Sequence, residues 1–328
     1  MKYDLILHIG ANKTGSSAIQ YFIRRNVAAI RAAGYAIPDR ELGWSAKITG
    51  EHVFSTQQFF NDKSNPRAID AKFDEMMATK PSDSTVLISG ENLSNFSNYD
   101  FFDEICRKYK TRVILYIRRQ DDLLLSSWQQ WYSKIETDLH AWLIRALPLI
   151  GNWEATIDGW EKVAGAGSVD VRLFERDQFP GGNIAADFGA ALGVAPDAEE
   201  VDYSAPNINP SFNDFIVPLV SGNRDMFRDV NDNAFYHYLE QLTGTKYTKG
   251  KKVSLISPAH RDIILSYYDQ QNRRLCKRFF PGRRHLFKPV DHSSYEYLSR
   301  EALVERQLQF LTHVVYKMGE KIKALGGK

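Results

Sequence analysis

The sequence predicts an α/β protein: a parallel sheet flanked by helices, followed by a mostly helical C-terminal part. Three observations carry this. Short apolar runs without polar alternation recur in the N-terminal half, as strands buried on both faces require. Stretches of helical periodicity separate them. After Phe174 the helical stretches continue and no strong strand signal appears. Strands alternating with helices give a parallel sheet covered on both faces, joined by right-handed crossovers.

The elements run in order. Residues 5–9 (LILHI) form a buried strand. From 16 to 33, Ile19, Phe22, Ile23, Val27 and Ile30 recur at helical spacing, and Gly34 ends that helix. Residues 85–89 (TVLIS) are a second strand and 100–109 a helix. Residues 112–117 (RVILYI) are a third strand, followed by a helix over about 120–135. A fourth strand spans 169–174 (VDVRLF), with a helix over 184–192. Beyond it, 212–227, 234–242, 258–280 and 297–324 read as helices. The turn-rich stretch 196–210 separates the halves. The expectation is one domain of 328 residues, with a nucleotide-binding core over 1–195 and a helical cap over 196–328 packed on it. The last helix would dock on the core or join another chain as an oligomer contact. Residues 35–82 carry no motif.

Composition narrows the function. Hydrophobic residues at 43% and charged residues at 25% suit a globular protein, which excludes a disordered or low-complexity chain. Lys plus Arg number 42 against 40 Asp plus Glu, so the net charge of +2 gives no global attraction to nucleic acid or membrane. An anionic ligand must be held locally. Two cysteines, Cys106 and Cys276, exclude a disulfide framework and suit a reducing compartment. With scattered histidines they give no metal site. No stretch approaches the roughly 20 apolar residues that span a bilayer, and MKYDLILHIG reads as a first strand rather than a signal peptide. The expected location is cytoplasmic.

Ligands of parallel sheets bind at the C-terminal ends of strands, so the loops after Ile9, Ser89 and Ile117 are where a site belongs. The first holds HIGANKTGSS, residues 8–17. Gly10 and Gly15 have the spacing of the phosphate loop GxxxxGK[ST], between a buried strand and an amphipathic helix. Glycine lets backbone approach an anion, and the helix start supplies N–H donors. The fold is thus P-loop NTPase-like. The lysine, however, is Lys13, before the second glycine, and Ser16 stands where an ATPase has lysine. The strand TVLIS ends in Ser89, where a Mg²⁺-binding aspartate would be needed. The second feature is YIRRQDDLLLSSWQQWY, residues 116–132. Arg118 closes a strand and Ser126 lies on the next helix, so fork and hydroxyl can converge on one anion. Arg119 and Ser127 repeat the spacing one residue on; Arg118 is preferred because it directly follows the apolar run.

The pair KTGSS and RRQDDLLLSSW resembles the sulfotransferases that use 3′-phosphoadenosine 5′-phosphosulfate (PAPS), in particular the bacterial, carbohydrate-type branch. The resemblance is strong over 3–33 and 84–135. It is weaker through VRLFERDQF, 209–211 and NRRLCKRFFPG. It implies that Lys13 contacts the bridging oxygen and the sulfonate. Lys13, Thr14, Gly15, Ser16 and Ser17 form the loop for the 5′-phosphosulfate, and Arg118 with Ser126 holds the 3′-phosphate. Ser16–Ser17 replaces the family's usual Thr–Thr. The implied product is 3′-phosphoadenosine 5′-phosphate (PAP). The implied acceptor is a hydroxyl of a saccharide or small molecule, with no metal needed.

Transfer also needs a general base for the acceptor hydroxyl. His52 is the first choice, Glu51 the second and Glu91 the third, with a buried polar residue, a surface charge and a turn organiser as their ordinary alternatives. His8 reads as a packed histidine beside the site. Trp128, Trp131 and Tyr132 either pack or stack on adenine. The basic run Arg273, Arg274, Lys277, Arg278, Arg283 and Arg284 is either a solvated helix face or a contact for an anion. Two other functions stay open: a P-loop kinase or NTPase, and a non-catalytic nucleotide-binding protein.

Overall fold

The computed structural model describes residues 2–45, 47–52, 68–95, 98–194, 216–221, 223–243 and 252–326. β1 (Leu5–His8) is buried at every residue. After the loop come α1 (Ser16–Arg25) and α2 (Val27–Ala32), so the helix predicted over 16–33 is two. Asn26 makes the break. Its backbone leaves helical values at φ −115°, and its side-chain amide donates to the Phe22 carbonyl at 2.8 Å. Asparagine competes in this way with the helix's own ladder. Gly34 ends α2 at φ +91°, a left-handed value that favours glycine.

Next come β2 (Tyr35–Ala36), α3 (Ala68–Ala78), β3 (Thr85–Ser89), α4 (Asp103–Lys108) and β4 (Thr111–Ile117). The helix expected from residue 100 begins as a 3₁₀ turn, Asn98–Phe102, that runs into α4. α5 (Gln120–Gln130) stops short of residue 135 and closes in a 3₁₀ turn at Tyr132–Lys134. Then follow α6 (Leu139–Ala146), α7 (Trp153–Ala164), β5 (Val169–Leu173) and α8 (Ile184–Ala191).

In the C-terminal part are α9 (Val217–Ser221), α10 (Ala234–Thr243), β6 (Lys252–Val253), α11 (Pro258–Phe279), β7 (Tyr295–Glu296) and α12 (Arg300–Gly326). The expectation of no strand after Phe174 is corrected here: β6 and β7 pair in parallel, Lys252 with Tyr295 and Val253 with Glu296. Two residues are too few to show periodicity. The stretches 196–210 and 209–211 lie outside the described residues, as does the start of the helix expected over 212–227.

The main sheet is parallel, in the order β2-β3-β1-β4-β5. β1 is central, with Leu5–His8 in register with Val86–Ser89 on one side and Thr111–Ile114 on the other. The strand order reverses at β1, so the crevice for a ligand lies at its C-terminal end. Ile6, Leu87, Ile114 and Tyr116 face α1 and α8 in one core that includes Phe22 and Phe188. On the other face α7 packs on β4 and β5, with Trp160 against Phe102 and Phe102 against Phe73. Asp187 on α8 receives Arg172 through Nε and Nη2 at 2.7 and 2.8 Å and the Tyr116 hydroxyl at 2.6 Å.

Two compact units divide the chain. The first is Met1–Arg119, Asn152–Ile208 and Arg273–Phe287; the second is Gln120–Gly151, Asn209–Asn272 and Lys288–Lys328. Residues 120–151 thus group with the C-terminal residues, and 273–287 with the sheet. In the second unit Leu124, Trp128, Trp142, Ile264 and Tyr268 form one core. Phe310 and Val314 of α12 pack with Tyr236 and Leu239 of α10 in another.

The second unit is also built on a buried cation. Arg261 is fully buried; it donates to Asp121 and, at 3.2 Å, to Asp122 at the start of α5. Its guanidinium lies 4.0 Å from the Tyr295 ring centroid, and the Tyr295 hydroxyl donates to Asp122 at 2.7 Å. Removing one partner of a buried pair typically costs about 3–5 kcal/mol, because the remaining charge keeps its desolvation penalty. Arg261→Ala is expected to lower the stability of this unit by that order in urea unfolding followed by tryptophan fluorescence. A loss below about 1 kcal/mol, the worth of an exposed pair, would show that the cluster is solvated.

Candidate active site

Four groups of residues converge at the C-terminal edge of the sheet in the first unit. The first is the loop after β1. It is shaped by two left-handed residues, Lys13 at φ +64° and Gly15 at φ +84°. Such backbone turns successive N–H groups toward one concave point, which is how anion nests form. Thr14 is buried and its hydroxyl donates to the Ala11 carbonyl at 2.6 Å. Its N–H also donates to the Ala11 carbonyl, at 3.3 Å, so Thr14 braces the loop from within. α1 starts at Ser16 with no side-chain cap and no acidic residue of its own in its first turn, which leaves the positive end of the helix dipole without an acid from the helix itself.

The glycines are required by close approach. A Cβ on Gly15 would meet Ile184 at 2.6 Å and Phe174 at 3.0 Å, besides the positive φ. A Cβ on Gly10 would stand 3.0 Å from His8 and 3.1 Å from Ser16. Ile184, Phe174, His8 and Ser16 can pack this closely on the loop only because both positions are glycine.

The second group is Arg118 at the end of β4. Its guanidinium donates to the Lys13 carbonyl at 3.0 Å and lies 5.5 Å from the Phe174 ring centroid. Its own carbonyl accepts from the Trp153 indole at 2.9 Å. The two sequence motifs, over a hundred residues apart, are thereby joined. Phe174 was not singled out in the sequence; it directly follows β5 on the ligand-binding edge, and that position was the available signal.

The third group is Glu91, one residue past the end of β3 and Gly90. Burial pushes its carboxyl above the usual carboxylate range, while the Ser16 hydroxyl and the Lys13 ammonium pull the other way and Glu51 adds to the rise. Glu91 is therefore in electrostatic contact with both ends of the phosphate loop. Ser94, at the end of the same turn, reaches the Gly10 carbonyl at 3.4 Å. Glu51 is half-exposed and faces Arg40 at 3.9 Å.

The fourth is a pair of histidines beneath the loop. His52 is 1% exposed, and its Nδ1 lies 3.1 Å from the Ser89 N–H and 3.2 Å from the Ser89 carbonyl. Burial pushes its pKa down to about 4, against the raising effect of the Ser89 and Pro38 backbone and Asp39. His8 is equally buried, bonds Ser89 Oγ through Nδ1 at 2.8 Å, and is pushed down to about 3 by burial. Both rings are neutral at neutral pH and act as props for the β1 and β3 ends.

Ser126 and Ser127 belong to α5, in the second unit. The Ser127 hydroxyl donates back to the Leu123 carbonyl at 2.9 Å, whereas among the described residues no hydrogen bond engages the Ser126 hydroxyl. Trp128 and Tyr132 pack with Trp142, at ring-centroid distances of 5.4 and 4.9 Å. The basic run is largely neutralised. Arg274 takes Glu154 in two bonds, Arg278 takes Asp158 at 2.9 Å and Glu161, and Arg283 takes Glu175 and Gln178. Among the described residues no three His, Cys, Asp or Glu side chains are grouped to hold a metal ion, and no helix is long and apolar enough to cross a membrane.

No family model and no curated protein matches the chain. Among solved structures it is similar to a sulfotransferase from Alicyclobacillus acidocaldarius, at 16% identity and a TM-score of 0.40, covering 64% of this chain and 87% of that one. It is also similar to a mouse sulfotransferase complexed with PAP, at 15% identity and a TM-score of 0.43, covering 82% and 85%. At these scores the function rests on the chain's own residues.

Proposed function

We propose that the protein transfers a sulfuryl group from PAPS to an acceptor hydroxyl of a saccharide or another small molecule. The observation that carries this is the Arg118–Lys13 contact. It brings a strand-end arginine onto the phosphate loop whose lysine precedes the glycine. The loop fits the nucleotide's 5′ end: glycine at 10 and 15, an uncapped helix start, and no acid in the first turn. Gly15, Ser16 and Ser17 would hold the 5′-phosphate, on a loop that Thr14 braces. Arg118 would hold the 3′-phosphate, and Ser126 is assigned to the same role by the motif alone.

When bound, the nucleotide supplies an activated sulfonate whose leaving group is a phosphate. The chain supplies the rest. Lys13 and the start of α1 offset the negative charge that develops on the bridging oxygen, by the logic of preorganised electrostatics. Glu91 takes the proton of the acceptor hydroxyl. It is preferred over His52, the first choice from sequence, because His52 is buried against backbone, whereas Glu91 lies in the field of Lys13 and is partly exposed. The raised carboxyl makes Glu91 a stronger base than an ordinary glutamate once ionised.

Arg118→Ala tests the reading. A charge-assisted hydrogen bond contributes about 1.5–3 kcal/mol, so PAP affinity should fall by roughly 10- to 150-fold in calorimetric titration. Arg119→Ala should bind nearly as the parent. Unchanged affinity in Arg118→Ala, or a loss only in Arg119→Ala, would show that the 3′-phosphate is held elsewhere.

A further inference from the structure

α12 carries two apolar faces, and among the described residues only one is packed within the chain. Phe310 and Val314 are buried against α10. About a quarter-turn around the helix lie Val304, Leu308, Leu311, Val315, Met318, Ile322 and Leu325. All seven are between 41% and 72% exposed. Their spacing alternates four and three without a break. That is the 3.5-residue repeat of a coiled-coil seam, sustained over three heptads, and not the 3.6-residue drift of a helix lying on its own globule.

We infer that α12 pairs with the α12 of a second copy of this chain, seam to seam, as a parallel two-stranded coiled coil. The identity of the seam residues selects this occupant. In heptad terms Leu308, Val315 and Ile322 fall at position a, and Val304, Leu311, Met318 and Leu325 at position d. Two of the three a residues are β-branched and two of the four d residues are leucine, with no asparagine or charge at either position; this is the pattern that favours parallel dimers. The flanking positions agree. In a parallel pair Gln307 meets the partner's Thr312 and Lys321 the partner's Gly326, so no like charges oppose there. The area is adequate too. Two seams together would remove on the order of 1,500 Å² from water, within the roughly 1,200–2,000 Å² of stable interfaces.

The test is the mass of the full-length protein in solution, by light scattering after size exclusion at tens of micromolar. The expected result is twice the 37.5 kDa of the chain. Leu308→Glu with Val315→Glu should return it to one chain, with an unchanged circular dichroism melt. Orientation is read separately: Leu325→Cys should form an oxidised dimer with itself, because only a parallel pair brings the two C-terminal ends together. A monomeric parent protein overturns the inference, as does a dimer that survives the double substitution. A monomer that floats with vesicles of anionic lipid would assign the seam to a membrane surface instead.

Discussion

Lys13→Ala is expected to cut sulfuryl transfer by about 10²–10³-fold, the usual effect of removing one donor aimed at developing transition-state charge. Lys13 is the one cation of the loop itself, half-buried and set by a left-handed backbone. That backbone complicates alanine, since φ +64° is unfavourable for most residues and easier for asparagine. Lys13→Asn separates the two effects. If the ammonium matters, both variants lose kcat alike and bind PAP nearly as the parent does, because a product without the sulfonate makes less use of it. If Asn restores turnover, the residue serves the shape of the loop and the electrostatic role is wrong.

Glu91→Gln should lower kcat by roughly 10²–10⁴-fold, the range for a lost general base, with PAP affinity unchanged. Gln keeps the size and the ability to accept from Ser16. The pH profile gives the sharper reading. Burial raises the Glu91 pKa in the folded protein, so the base is protonated and idle at low pH and becomes active as pH rises through a value above the ordinary 4.5. The parent enzyme should therefore show an acid limb displaced upward from a free glutamate, and Glu91→Gln should lack it. A limb that persists in Glu91→Gln and vanishes in His52→Asn would return the base to His52. A loss of PAP affinity with kcat intact would make Glu91 an organiser of Lys13 and Ser16.

The sheet was legible because its central strands are unbroken apolar runs. Residues 85–89 and 112–117 were placed to within a residue, and β1 and β5 each stop one residue earlier than read. The turn between β1 and α1 was legible because glycine spacing, strand and helix coincide in ten residues. What escaped has physical reasons. β2, β6 and β7 are two residues each, and no pattern shows in two. The Asn26 break depends on a side-chain bond that periodicity does not register. The base candidates differ in burial. His52 lies in the right region of the chain, but its ring is turned into the sheet end, while Glu91, ranked third, stands against the loop. The burial of a single polar residue leaves no mark in one sequence, so this difference was not legible there.

The basic run shows the same limit in the opposite direction. Six cations within twelve residues read as a solvated helix face or a contact for an anion, yet Arg274, Arg278 and Arg283 are each answered by carboxylates from α7 or the turn after β5. Those partners lie over a hundred residues away in sequence, so their complementarity becomes visible only once the chain is folded.

The most direct test of the central claim is calorimetric titration of the parent protein with PAP and, separately, with ATP and Mg²⁺. The account predicts saturable binding of PAP without metal and little or none of ATP with Mg²⁺. Preference for ATP with Mg²⁺ would contradict it, since neither the placement of Lys13 nor the role given to Arg118 would then stand.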